Sequence, residues 1–158
     1  MTEELYGAPV TYSAGQTVLH ATPETYIDLV TELRDQGFVQ AIDLIGVDYL
    51  VHTRTDLPDV ITPERFEIVV LLLSHARKER VRVRLQVGEE TSVPSLFDLF
   101  PGTEAMEREA FDMFGIEFTD HPDLSRILMP ETWEGFPLRK DFDVGRIPVQ
   151  FKDAPSQK

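Results

Sequence analysis

The chain has 158 residues, 28 acidic against 15 basic, for a net charge of −13, and contains no cysteine. That length suits one domain able to bury a core without staples. The acidic balance argues against nucleic acid, whose phosphates need clustered Lys and Arg, and the missing thiols exclude a disulfide frame and thiolate-ligated iron–sulfur clusters.

No apolar run approaches the roughly 20 residues needed to cross a bilayer. The acidic opening MTEELYGAPV lacks the layout of a signal peptide. The expectation is a protein that stays on the side where it is made and reaches a membrane only through partners, with no direct insertion.

In chain order, residues 1–21 read as a loosely structured lead-in. Thr22-Pro23-Glu24 predicts a helix start, with Thr22 as N-cap, proline at the first position and an acid near the positive end of the dipole. Tyr26, Leu29, Val30 and Leu33 supply its apolar stripe and Gly37 its end. From Phe38 to Val51 β-branched and aromatic residues predict a strand with an irregularity at Gly46, and residues 53–63 a loop.

The stretch from Arg65 to Leu73 ends in six consecutive aliphatics, Ile68 to Leu73, which predicts a central strand covered on both faces. After a turn at Ser74–Lys78, Val81, Val83, Leu85 and Val87 alternate with Arg80, Arg82, Arg84 and Gln86. The arginine ladder reads either as a solvated face or as a docking strip for an acidic partner. Residues 94–100 suggest a short amphipathic turn or helix, set off by Pro101-Gly102. Met106, Ala110, Met113 and Phe114 then make a helical stripe, with Gly115 as left-handed stop and Ile116 folding back on it. On the other face Arg108 and Asp112 are spaced to pair.

Beyond Phe118 the dipeptides His121-Pro122, Met129-Pro130 and Phe136-Pro137 exclude helix and predict an extended or turning course. Leu124, Ile127, Leu128, Met129, Trp133, Phe136, Leu138 and Phe142 need cover, from their own domain or from a partner. Residues 147–152 read as extended, with a disordered end. The fold class is therefore α+β, a single domain with one mostly antiparallel or mixed sheet, flanking helices and an extended C-terminal tail. The division is a core over 1–118 and a partner-wrapping segment over 119–158.

Chemistry is hard to place. Glu107 and Glu109 are two apart on a helix and point apart, so they cannot flank one bond. His20, His52, His75 and His121 show no ligand-like spacing, and nothing resembles a nucleophile elbow or a phosphate loop. His121 reads as a loop-fixing hydrogen-bonding residue. Arg139, Lys140 and Asp141 read as charges at an interface rim around apolar anchors.

The segments Glu107-Arg108-Glu109, Phe111 to Ile116 with Asp112 and Gly115, His121-Pro122-Asp123-Leu124, Arg126 to Pro130, Trp133-Glu134-Gly135 and Pro137 to Asp141 closely resemble the signature of the 30-kilodalton subunit family of respiratory complex I. Ser125, Phe136, Phe142-Asp143 and Glu104-Ala105-Met106 depart from that pattern. The resemblance implies a non-catalytic subunit in the hydrophilic arm of a proton-pumping NADH:quinone oxidoreductase, beside the quinone-pocket D-subunit, with its tail over that neighbour. It implies no catalytic, cofactor-binding or metal residue here, FMN, iron–sulfur clusters, NADH and quinone belonging to the parent complex. Its place would be peripheral, on the cytoplasmic side of the bacterial membrane. The alternatives are the equivalent subunit of a membrane-bound hydrogenase or F420-type dehydrogenase, and a stand-alone acidic enzyme.

Overall fold

The structure is a computed structural model and describes residues 3–143 and 145. The stretch read as extended over 147–152, and the chain end, lie outside the described residues. Among the described residues eight strands and two helices follow in order: β1 (Glu4–Leu5), β2 (Ala8–Ser13), β3 (Gln16–Ala21), α1 (Tyr26–Asp35), β4 (Gln40–Asp48), β5 (Phe66–Ser74), β6 (Glu79–Val87), β7 (Val93–Pro94), a 3-10 turn (Pro101–Thr103) leading into α2 (Glu104–Phe114), and β8 (Phe118–Thr119). Six of the strands form one mixed sheet in the order β1-β2-β3-β6-β5-β4. Within it β3 runs parallel to β6 and every other neighbour is antiparallel.

The lead-in expected over residues 1–21 is wrong. It folds into two hairpins, and β3 lies inside the sheet with Val18 to Ala21 all buried. The turn between β2 and β3 is the two-residue pair Ala14-Gly15, both with positive φ (51° and 73°), the backbone that matches strand twist in a tight hairpin. Because β3 is covered on both sides, it lacks the alternation that marks a half-exposed strand.

Helix α1 starts at Tyr26, three residues later than an N-cap at Thr22 suggested. Thr22 and Thr25 close a turn first, the Thr22 amide donating to Thr25 Oγ1 (3.0 Å) and the Thr25 amide to the Thr22 carbonyl (3.1 Å), and the Leu29 amide then bonds to the Thr25 carbonyl. Its expected stripe, Tyr26, Leu29, Val30 and Leu33, is buried in the core. That core takes the inward side chains of the sheet, among them Leu19, Ile68, Val70, Leu72, Val83 and Leu85, and Ala110 of α2. Both helices therefore share one face of the sheet.

Strand β5 is central, as its composition demands, though only from Phe66 to Val70 is it covered on both faces; Leu71 and Leu73 are half-buried on the outer one. The irregularity in β4 falls between Ala41 and Asp43, while Gly46 pairs in regular register with Ile68. Gly46 serves close packing. A Cβ there would stand 2.8 Å from Cδ2 and 3.1 Å from Cε2 of Phe114, at the end of α2.

Replacing Gly46 by Ala should therefore overpack the β4–α2 contact and cost about 1–3 kcal/mol, seen as a lower denaturation midpoint at unchanged slope. Parental stability would mean that Phe114 moves aside freely.

Candidate functional site

Helix α2 packs on β4, Phe114 lying against Gly46, with Ala110 buried in the core and Met106 partly covered. The opposite side of the same helix organises the proline-broken segment that follows. Asp112 is fully buried. Its Oδ2 accepts the backbone N–H groups of Ile127, Leu128 and Met129 (3.1, 2.7 and 2.8 Å), and its Oδ1 takes Nη1 of Arg126 at 2.6 Å. The expected Arg108–Asp112 pair does not form. A helix-surface pair is worth a few tenths of a kcal/mol, whereas a buried carboxylate held by three amides and a guanidinium has four donors, one of them charged.

Arg108 turns instead to Glu104 (3.2 Å) and to the carbonyls of Ser125 and Arg126 (3.1 and 3.2 Å). Arg126 extends the link, donating also to the Gly135 carbonyl at 3.0 Å.

The C-terminus of α2 is closed by the same segment. Gly115 is in the left-handed region (φ 73°) and its amide returns to the Phe111 carbonyl, as its position predicted, and Ile116 is buried. Two of the helix's last carbonyls, which have no partner inside the helix, are taken by later residues: Met113 by the Leu138 amide (3.0 Å) and Phe114 by Nε of Arg139 (2.5 Å). Arg139 lies between the rings of Phe66 and Phe136, 5.1 and 4.6 Å from their centres. It is a tie at the negative end of a helix dipole, with its side chain half-buried. Lys140 contributes its amide, to Asp48 Oδ2 (2.9 Å), and Asp141 pairs with Arg65 (2.7 Å), which itself holds Asp48.

At the other end of α2, His121 Nδ1 accepts the Asp123 amide and Nε2 faces the Glu104 carbonyl at 3.1 Å, so the proton sits on Nε2 and the ring fixes the turn containing Pro122. Glu107 lies beside it, fully buried. It accepts from Ser95 Oγ (2.5 Å), the Leu96 amide (2.7 Å) and Thr103 Oγ1 (3.2 Å), and burial pushes its pKa up. Glu109 points to solvent. The two acids diverge as their spacing required. Among the described residues no three of His, Asp and Glu converge as a metal-ligand set.

Sequence reasoning named Glu107, Arg108, Asp112, Gly115, His121, Arg126 and Arg139, and the structure gathers them along α2. It missed Asp48 and Arg65, which meet the segment only through tertiary approach. The segment turns three apolar side chains outward, Ile127, Leu128 and Leu138, 40%, 60% and 50% exposed, among charged neighbours such as Asp123, Glu131, Glu134 and Lys140. Trp133 stacks on Phe142 with ring centres 6.4 Å apart. The site is thus a buried polar scaffold beneath a surface of mixed apolar and charged side chains.

Burial alone would raise the pKa of Asp112, but the three amides and Arg126 overcome it and hold the carboxyl below its ordinary value. Its contribution is therefore full above the unfolded carboxyl value of about 4 and is lost as pH falls through the lower folded value. Asp112→Ala should cost about 3–5 kcal/mol by leaving Arg126 and three amides unpaired. Limited proteolysis at neutral pH should cut between residues 121 and 143 in the variant well before the parent. Equal protection of both would show that the carboxylate does not hold the segment.

Residues 19–147 match the family described as respiratory-chain NADH dehydrogenase, 30 Kd subunit. The C-subunit of the NADH-quinone oxidoreductase of Sinorhizobium medicae is 44% identical over 92% of this chain and 68% of its own length. That of Roseiflexus castenholzii is 45% identical over 87% of this chain and 75% of its own. The chain thus spans about two thirds to three quarters of these relatives. Among solved structures, the trypsin-resistant fragment of Nqo5 superposes with a TM-score of 0.66 at 31% identity, over 75% of this chain and 90% of the fragment. A chain of an archaeal membrane-bound sulfane sulfur reductase, 17% identical, shares the fold over 96% of this chain and 90% of its own, with a TM-score of 0.65. With its signature residues folded around α2, the chain belongs to the 30-kilodalton subunit family of respiratory-chain NADH dehydrogenase.

Proposed function

We propose that this chain is a non-catalytic structural and assembly subunit in the peripheral arm of a proton-pumping NADH:quinone oxidoreductase, docked beside the quinone-pocket D-subunit. One observation carries the reading: the signature residues hold main chain in place, and the surface so built presents Ile127, Leu128 and Leu138 outward among charged residues. Asp112, Arg126 and Arg139 spend their hydrogen bonds on backbone and on each other's neighbours. A catalytic site would aim such groups at a cavity. Ile127, Leu128 and Leu138, presented outward on an irregular but pinned backbone, fit the apolar centre of a protein interface.

In this reading FMN, the iron–sulfur clusters, NADH and quinone are bound by other subunits, and electrons pass without a group of this chain. The chain would sit on the cytoplasmic side of the membrane, held there by its partners; no helix among the described residues is long and apolar enough to cross one. The fold shared with a chain of another respiratory complex gives the second reading, an equivalent place in an assembly with a different electron donor. A flavin subunit for NADH encoded nearby separates the two.

The test is co-purification of the full tagged chain with its complex from the host. Leu128→Glu with Leu138→Glu should lower the yield of complex at least tenfold, since central apolar anchors contribute about 1–2 kcal/mol or more each, while the free chain keeps its melting temperature. Arg139→Ala, in contrast, should lower that temperature. Unchanged complex yield with both glutamates present would remove the docking claim.

A further inference from the structure

The helices cover one face of the sheet, and the other face is only half covered. There β5 and β6 set an aliphatic side chain opposite an arginine three times over: Val69 with Arg84, Leu71 with Arg82 and Leu73 with Arg80. The first pair is lidded by the chain itself. The loop after β4 brings Asp56 to Arg84 (2.7 Å) and to Arg54 (2.9 Å), and Arg54 stacks on Tyr49, 3.8 Å from the ring centre. Beneath them both arginines meet the buried carboxylate of Glu67 at 2.9 Å.

The next two pairs repeat this chemistry without a lid. Leu71 and Leu73 are half-buried and Ile45, on the neighbouring strand, is 42% exposed. Among the described residues Arg80 and Arg82 have no carboxylate within ion-pair distance, although Asp43 stands across β5 from Arg82. A groove of about 440 Å³ lies over Val18, Ile45, Leu71 and Arg82, and another of about 800 Å³ opens around Leu73 and Arg80 towards the β5–β6 turn. Five of the chain's 15 cations fall within residues 77–84, in a molecule of net charge −13.

We infer that this open half-face docks an acidic, amphipathic segment of another polypeptide in the assembly. Its carboxylates meet Arg80 and Arg82 as Asp56 meets Arg84, and its apolar side chains cover Leu71, Leu73 and Ile45. Arg80 and Arg82 are two residues apart on a strand, about 7 Å, a separation matched by carboxylates one turn apart on a helix, about 6 Å. Guanidinium suits the role because it pairs with a carboxylate in fork geometry while its stem covers apolar surface. The inference rests on the assembly reading only in placing the partner within the same complex.

The test places a photoreactive phenylalanine analogue at Leu71 in the full chain, assembled in its host, and maps the adduct by mass spectrometry. The expected product joins this chain to a second polypeptide, with at least two carboxylates within about one helical turn of the linked residue. Adding Arg80→Glu and Arg82→Glu, both at solvent-reached positions, should lower its yield at least tenfold while the melting temperature holds. No adduct, an adduct to a second copy or to this chain itself, or a yield indifferent to the charge reversals would overturn the inference. Normal co-purification without the adduct defeats this inference alone, whereas a chain that co-purifies with nothing defeats the assembly reading as well.

Discussion

The structure depends on one buried carboxylate. A charge removed from water is costly unless it is paired and hydrogen-bonded, and Asp112 meets that condition by drawing three consecutive amides and an arginine from a segment 14 to 17 residues further along. Those amides belong to a stretch that has no ladder or helix to satisfy them. Each side thus supplies what the other lacks, and an irregular backbone becomes as well determined as a strand. The closure at Gly115 works the same way: a Cβ there would lie 2.5 Å from the Phe136 ring and 2.7 Å from Arg139 Nη2, so both the φ of 73° and the space demand glycine.

This arrangement explains why so many polar residues of the family signature are inward or half-covered while apolar ones face out. In an isolated globular domain the opposite is the norm. Here several of the polar groups are spent internally to shape a surface whose outer side includes Ile127, Leu128 and Leu138. The same helix carries two buried acids with opposite linkage, Glu107 pushed up by burial and Asp112 held down by its donors.

Much of this was legible in the sequence. The stripes of α1 and α2, the aliphatic run of β5 and the alternation of β6 each reflect a repeat that only one secondary structure satisfies, and Gly115 marked the end of α2. The hairpins of residues 4–21 escaped because β3, buried on both sides, shows no alternation, and its signal shrank to the pair Ala14-Gly15. Asp112 was assigned the wrong partner for a different reason. Helical spacing shows Arg108 within reach, but only the folded chain shows that Arg126 and three amides arrive with stronger bonds. The internal contacts of Arg139 were out of reach likewise, since Phe66 is 73 positions away in sequence and beside it in space. Arg84, in the arginine ladder read as either solvated or docking, proved to be tied to Glu67 and Asp56.

Hydroxyl-radical footprinting of the full chain, free and within its assembled complex, tests the central claim most directly. The account predicts that Leu128 and Leu138 are labelled in the free chain and shielded in the complex, while buried Met113 stays unlabelled in both. Equal labelling of Leu128 and Leu138 in the two states would contradict it.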